Sequence, residues 1–217
     1  MSMKIELGQV AKRYRLEWIF SEINYTFEAG KTYAITGPNG SGKSTLLKLL
    51  SGYISPSKGK ITFKSDSREW QASEIYTQLA FAAPYIDLIE EMKLSEALVF
   101  HQKFKPFLQG LQPDDILHIL DFKKAKDKTI AHFSSGMKQR LKLVLALCAQ
   151  SSYLLLDEPT TNLDRQGMQW YLELVKTFAG NRLTIVASNV EEDLSFCEEK
   201  LNILDYKKQK NRKKFGF

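Results

Sequence analysis

Four short stretches, residues 31–36, 79–82, 153–156 and 183–188, are apolar almost without a break, and each is too short for an amphipathic helix. Apolar runs of that length bounded by turn residues read as strands buried on both faces. Between them the spacing turns helical: residues 46–50 up to Gly52, about 88–122 with turn signals at Pro106 and Gly110-Leu111-Gln112-Pro113, 141–149, and 161–179 closed by Gly180. Asp114-Asp115 marks a helix start, and Gly180 suits a C-cap. A further helix over about 191–197 precedes a strand over 201–204. Strands alternating with helices predict the α/β class with a mainly parallel central sheet. Residues 4–7 and 23–27 alternate apolar with polar instead, and 60–63 is another strand. These predict an N-terminal antiparallel β subdomain, with 64–73 polar and turn-like. The helical stretch over about 86–150 reads as an inserted subdomain, so that residues 1–206 form one domain. Phe100, Phe104 and Phe107, at i, i+4 and i+7, are expected to be helical core.

Candidate chemistry starts between the first apolar strand and the helix after it, at Gly37-Pro38-Asn39-Gly40-Ser41-Gly42-Lys43-Ser44-Thr45. Strand, glycine-rich turn and helix, with G-x-x-x-x-G-K-S matched in full, is the context of a phosphate-binding P-loop. The glycines let successive N–H groups turn inward onto phosphate oxygens, and the helix N-terminus adds its dipole. Lys43 is expected to reach the β- and γ-phosphates and the Ser44 hydroxyl to hold Mg²⁺. The predicted ligand is a nucleoside triphosphate.

Residues 153–156 run straight into Asp157-Glu158-Pro159. Two acids at a strand end are more often a solvated edge, but behind a P-loop they match the Walker B pattern. Asp157 then suits the Mg²⁺ shell, and Glu158 can polarise a water for in-line attack on the γ-phosphorus. Upstream of that strand, Phe133-Ser134-Ser135-Gly136-Met137-Lys138-Gln139-Arg140 leads into the helix 141–149. Small residues directly before a helix make a second anion-binding N-terminus. Tyr14, in Lys12-Arg13-Tyr14-Arg15, is an aromatic suited to stacking on an adenine face, worth about 1–3 kcal/mol if it resembles other base stacking.

Bulk composition narrows the partners. Six of the 31 basic residues fall in the last eleven positions, and the remaining 25 match the 25 acidic residues, so the net charge of +6 belongs to the tail 207–217. A neutral body argues against a broad nucleic-acid footprint, and no direct nucleic-acid contact is expected. The tail reads either as a solvated end or as a contact for anionic lipid headgroups. No apolar run approaches the roughly 20 residues that span a bilayer, and residues 1–6 lack a signal-peptide core. Cys148 and Cys197 lack metal-type spacing and read as buried free thiols of a reducing cytoplasm. His101, His118 and His132 show no ligand spacing and read as solvated or capping.

The order of these pieces resembles the ATP-binding cassette (ABC) ATPases, from Leu7 to about Asp205. The specific marks are Ser134-Ser135-Gly136 ahead of a helix, then Leu156-Asp157-Glu158-Pro159-Thr160, then Asn162-Leu163-Asp164. The resemblance implies an ATP-binding and hydrolysing subunit of a transporter, with ATP and Mg²⁺ as ligands. Its partners would be a second ABC ATPase subunit and an integral membrane subunit, and its location the cytoplasm, peripheral on the inner face of the cell membrane. Two ATP molecules would be sandwiched in a head-to-tail dimer, each between one P-loop and the partner's Ser134-Ser135-Gly136. Tyr14 would stack on adenine, Asp164 would join the contact between the two sites, and the helical subdomain would dock the membrane subunit. The alternatives are a non-transport ABC ATPase acting on a soluble assembly, or a regulatory module that no longer hydrolyses ATP. The retained Glu158 speaks against the last.

The chain departs from the family pattern at three points. Ser135 replaces a signature glycine and adds only a small side chain. The family's glutamine falls near Pro84, where Ala82-Ala83-Pro84-Tyr85 supplies no amide. The γ-phosphate histidine aligns with Asn189, which donates a hydrogen bond but carries no proton or charge. A missing contact that serves only the transition state is worth about 1–3 kcal/mol, or roughly ten- to a hundredfold in rate. Hydrolysis is therefore expected to be slow.

Overall fold

A computed structural model describes residues 2–66 and 68–207. Two long strands open the chain, β1 (Met3–Tyr14) and β2 (Glu17–Glu28), followed by β3 (Thr32–Thr36) and helix α1 (Lys43–Leu50). Strands β4 (Lys58–Ser65), β5 (Arg68–Trp70) and β6 (Leu79–Ala82) come next. Helices α2 (Leu94–Phe104), α3 (Pro113–Leu120) and α4 (Ser135–Leu147) lead to β7 (Tyr153–Asp157). Then come α5 (Arg165–Phe178), β8 (Leu183–Ala187) and β9 (Glu199–Asn202). One sheet is antiparallel in the order β2-β1-β4-β5, and the other is parallel in the order β6-β7-β8-β3-β9.

The unbroken apolar runs are the parallel strands, and their alternation divides two cores. Tyr33, Ile35, Tyr153, Leu155, Ile185 and Ala187 point into a core shared with α1 and the antiparallel sheet. Ala34, Ala80, Ala82, Leu154, Leu156 and Val186 point the other way, onto α2, α3, α4 and α5. These strands therefore bury both faces and lack the polar alternation of a half-exposed strand, unlike the edge strand β9, where only Leu201 is buried. Fixing both faces of the sheet also fixes the loops at its carboxyl edge.

Several boundaries differ from the sequence reading, each for a local reason. The helical pattern over 88–122 breaks into α2 and α3, because Pro106 cannot continue a helix. Phe107 therefore lies beyond α2: it is buried, whereas Phe100 and Phe104 are 39 % and 74 % exposed, which corrects the expectation of a common helical core. Asp164 caps α5 by accepting from the Gly167 N–H at 2.7 Å, so residues 161–163 form a turn ahead of the helix. The stretch 191–197 yields only a short 3-10 turn, Glu192–Leu194, and a three-residue strand, Arg68–Trp70, lies in the stretch read as turn-like. His118 and His132 are exposed, but His101 is partly buried against the Phe107 ring at 5.4 Å, and burial pulls its pKa down to about 4. Both cysteines are free thiols, Cys148 buried and Cys197 half-buried. Apart from Lys207, the basic tail lies outside the described residues. Among the described residues no helix is long and apolar enough to cross a membrane.

Candidate active site

Three loops leave the carboxyl edge of adjacent parallel strands: the glycine-rich loop after β3, Asp157-Glu158 after β7, and Ser188-Asn189 after β8. Open α/β sheets place ligands at this edge. The loops close around a cavity of about 600 Å³ lined by Asn39, Gly40, Ser41, Gly42, Lys43, Ser44, Thr45, Glu158, Asn189, Ile19, Thr161 and Val190.

The loop needs glycine where it turns. Gly42 has φ 112°, and a Cβ there would meet Ile19 Cγ2 at 2.5 Å; Gly37 has φ 143°, and a Cβ would meet Ile203 Cγ2 at 2.6 Å. The Ser41 N–H donates to the Pro38 carbonyl at 3.0 Å, curling the loop over the start of α1. The N–H groups of that first turn have no intrahelical acceptor, an arrangement that suits an anion.

Lys43 is 5 % exposed, and its ammonium lies 2.9 Å from the Gly37 carbonyl, 2.8 Å from Asn189 Oδ1 and 3.2 Å from Glu158 Oε1. Its three protons are thus fully engaged. Asn189 Nδ2 donates in turn to Asn39 Oδ1. Glu158 sits in the left-handed region, φ 44°, with its N–H donating to the Ala187 carbonyl at 2.8 Å. A non-glycine residue held there is strained, a condition that persists only where neighbours over-determine it. The turn from Glu158 to Thr161, closed at 3.1 Å, aims the carboxylate at Lys43.

Asp157 is fully buried, and neither carboxylate oxygen completes a hydrogen bond. Burial raises its pKa, and the Ser44 and Tyr85 hydroxyls lie against it. An orphaned buried carboxylate beside a hydroxyl, at the mouth of a phosphate loop, fits a hard divalent cation with oxygen ligands. Among the described residues no cluster of three or more His, Cys, Asp or Glu offers a metal site by itself, which suits an ion completed by phosphate oxygens and water.

The remaining predicted residues lie outside the cavity. Ser134 caps α4 by accepting from the Met137 N–H at 3.2 Å, with Ser134 and Ser135 exposed and Gly136 half-buried. A Cβ on Gly136 would stand 3.1 Å from the Asn162 carbonyl, so glycine lets α4 pack against the turn before α5. Gln139 Nε2 donates to the Pro159 carbonyl at 2.7 Å and ties the same helix to the strand end of Asp157. Tyr14 stands at the β1–β2 hairpin, 47 % exposed, with the Lys12 ammonium 5.3 Å from its ring centroid.

Sequence reasoning missed Tyr85, Ser188 and Asp193. Tyr85, next to Pro84, turns a hydroxyl toward Asp157 where the expected amide is lacking, and the Lys48 ammonium lies 4.0 Å from its ring centroid. Pro84 is fixed by Lys142 Nζ, which donates to its carbonyl at 2.9 Å. Ser188 and Asp193, both fully buried, back the Glu158 carboxylate. For Ser188 and Asp193 the signal is burial near a strand end, which sequence does not show; Tyr85 is 41 % exposed and carries no such signal.

Comparison with known proteins agrees with this geometry. The family described as ABC transporter matches residues 20–161. A lantibiotic transport ATP-binding protein, SrtF of Streptococcus pyogenes, is 32 % identical over 190 residues, covering 85 % of this chain and 79 % of its own. A putative ABC transporter ATP-binding protein from Pyrococcus furiosus shares the fold with a TM-score of 0.78 at 23 % identity, covering 94 % of this chain and 99 % of its own. A dimeric ATP-binding cassette in a post-hydrolysis state, bound to ADP and Pi, superposes with a TM-score of 0.78 at 20 % identity, covering 91 % of this chain and 93 % of its own. The P-loop, the strand-end acids and the signature stretch thus sit on a fold and in a sequence family that agree, and the chain belongs to the ABC transporter family as an ATP-binding subunit and ATPase.

Proposed function

We propose that the chain powers a transporter as one half of a head-to-tail ATPase dimer bound to a separate membrane subunit, at the cytoplasmic face of the membrane. The observation that carries this reading is the incompleteness of the cavity. One wall holds Lys43, Glu158 and Asn189, while the second anion-binding terminus, Ser134-Ser135-Gly136, stays outside it and solvent-facing. A second subunit turned head to tail would bring its own Ser134-Ser135-Gly136 onto the γ-phosphate, with Asp164 at the seam and Tyr14 against the adenine.

In this reading the phosphates lie on the Asn39, Gly40, Ser41, Gly42 and Thr45 backbone N–H groups, while Gly37 and Pro38 shape the turn that presents them. Lys43 leaves Glu158 for the β- and γ-phosphates. Ser44 and Asp157 would hold Mg²⁺, which when bound offsets the charge of the phosphate oxygens. Glu158, released from Lys43, accepts a proton from the attacking water as its oxygen bonds to the γ-phosphorus. The bond from that phosphorus to the β–γ bridging oxygen breaks, and ADP leaves with that oxygen. Asn189 donates to the γ-phosphate but supplies no positive charge, so turnover is slow.

The membrane subunit fits a second, apolar groove of about 560 Å³ beside α2. Tyr76, Ile89, Phe100 and Phe104 line it while remaining exposed to solvent, an arrangement that marks interaction sites. Two measurements test the proposal. Steady-state phosphate release should be measurable for the wild type and at background for Glu158→Gln, and a membrane protein should co-purify in mild detergent but not with Phe104→Glu. Equal background rates in both proteins would favour a non-hydrolysing module, and co-purification of a soluble assembly would overturn the transport role.

A further inference from the structure

The Glu158 carboxylate is held on two sides. Its Oε1 lies 3.2 Å from the Lys43 ammonium, and its Oε2 lies 3.3 Å from the Ser188 hydroxyl. If Lys43 turns to the phosphates, as the proposed function requires, Ser188 is the contact that remains. Ser188 is itself engaged: its Oγ accepts from the Val190 N–H at 3.0 Å and lies 2.5 Å from Asp193 Oδ2. Asp193 is fully buried on the Glu192–Leu194 turn, its Oδ1 has no hydrogen-bond partner, and the Thr160 hydroxyl lies against the same carboxyl.

Counting protons decides how this chain is wired. A serine hydroxyl has one proton, and here it stands between two carboxyl groups. If Asp193 is ionised, the 2.5 Å contact takes that proton. Ser188 then turns lone pairs on Glu158, leaving two oxygens 3.3 Å apart with no proton between them. If Asp193 is neutral, it donates to Ser188, Ser188 donates to Glu158, and each contact contains one proton. The Ser188 and Thr160 hydroxyls lower the Asp193 pKa, whereas the titratable groups facing it favour the neutral form. Glu158 and Glu192 are acidic, Tyr171 and Cys197 are uncharged, and none of these four is a cation. Burial acts in the same direction and raises the Asp193 pKa.

We propose that Asp193 is a positioning residue for Glu158: its neutral carboxyl donates to Ser188, Ser188 donates to Glu158 Oε2, and the chain holds the carboxylate in place after Lys43 has left it. This rests on Glu158 being the base.

The test uses the full chain with Asp193→Asn, Asp193→Ala and Ser188→Ala. An amide donates to Ser188 as the neutral acid does, so Asp193→Asn should stay within about threefold of wild-type kcat. Asp193→Ala and Ser188→Ala should each lose about tenfold, the size of one lost hydrogen bond, with ADP affinity unchanged. The double variant should be no slower than Ser188→Ala. Wild-type kcat should fall at alkaline pH as Asp193 ionises and captures the Ser188 proton, and Asp193→Asn should lack that fall. An Asp193→Asn protein as slow as Asp193→Ala, or with the same alkaline fall as wild type, would overturn the proposal. A second readout needs no turnover: the melting-temperature coupling between Ser188→Ala and Glu158→Gln should be present at neutral pH, fall at alkaline pH in the wild-type background, and persist there with Asp193→Asn. If Glu158→Gln hydrolyses like wild type, the base assignment fails, while the coupling still decides the hydrogen-bond chain. A wild-type coupling that is indifferent to pH sinks the chain itself.

Discussion

Replacing Glu158 by glutamine should tighten nucleotide binding as well as stop hydrolysis. Lys43 has all three protons committed, so a triphosphate that draws it away must break the Glu158 pair or one of the two bonds beside it. The lysine is 5 % exposed and the glutamate 25 %, which leaves little water to screen them. At 3.2 Å and an effective dielectric near 20, their attraction is about 5 kcal/mol, much of it cancelled by desolvation. What survives is the worth of a charge-assisted hydrogen bond, about 1.5–3 kcal/mol. Glutamine keeps an acceptor for Lys43 and loses the charge, so the released part is about 1–2 kcal/mol, or roughly five- to thirtyfold in Kd. Removing the carboxylate's repulsion of phosphate acts in the same direction. The assay is titration calorimetry with ADP in excess chelator, at protein concentrations where only monomer is present. Without Mg²⁺ or a second subunit, only the contest for Lys43 is read. A Kd equal to wild type, or weaker, would refute the reasoning.

Three further outcomes follow from the same geometry. Asp157→Asn should stabilise the protein by about 1–3 kcal/mol, roughly 3–9 °C in melting temperature, because it neutralises a buried carboxylate that completes no hydrogen bond. The folded-state pKa of Asp157 lies above its ordinary value of 3.8, so stability is lost as pH rises from 3.8 through the raised value. The gain from Asp157→Asn should therefore be larger at pH 8 than at pH 3.8, and a gain that shrinks with pH contradicts this; Mg²⁺-dependent ATP affinity should disappear in the same variant. Asn189→His should raise kcat about tenfold under saturating MgATP by restoring a chargeable donor, and a rate no higher than wild type would sink that account. Gly42→Ala places a Cβ 2.5 Å from Ile19 at φ 112° and should weaken ATP binding at least about tenfold in filter binding; normal affinity would show that the loop tolerates the side chain.

Much of this fold could be read from the chain because its strands are buried on both faces. The runs at 153–156 and 183–188 stand out since both alternations are apolar, and the two cores confirm why. Residues 4–7 and 23–27 revealed only fragments of two 12-residue strands, because register shifts along the β1–β2 and β1–β4 pairs break the period-2 pattern. The Phe100, Phe104, Phe107 spacing misled because Pro106 ends the helix before the third ring, which then packs in the core while the other two face solvent. In the site, residues placed by motif order were legible: the glycine-rich loop with Lys43 after β3, and Asp157 and Glu158 at the end of β7, fall at one edge of the sheet. Residues whose role depends on who stands beside them were not. Nothing in Ala83-Pro84-Tyr85 announces that a tyrosine hydroxyl faces Asp157, and Asp193 looks like one acid in an acidic turn until its burial against Ser188 is seen.

The claim at the centre of the account is that this chain carries half of each ATP site. Equilibrium sedimentation of the Glu158→Gln protein with and without MgATP tests it most directly. The account predicts monomer alone, about twice that mass with MgATP, and monomer again when Ser134→Arg is added, with ATP binding to the monomer retained. A protein that remains monomeric with saturating MgATP, or a dimer indifferent to Ser134→Arg, would contradict it.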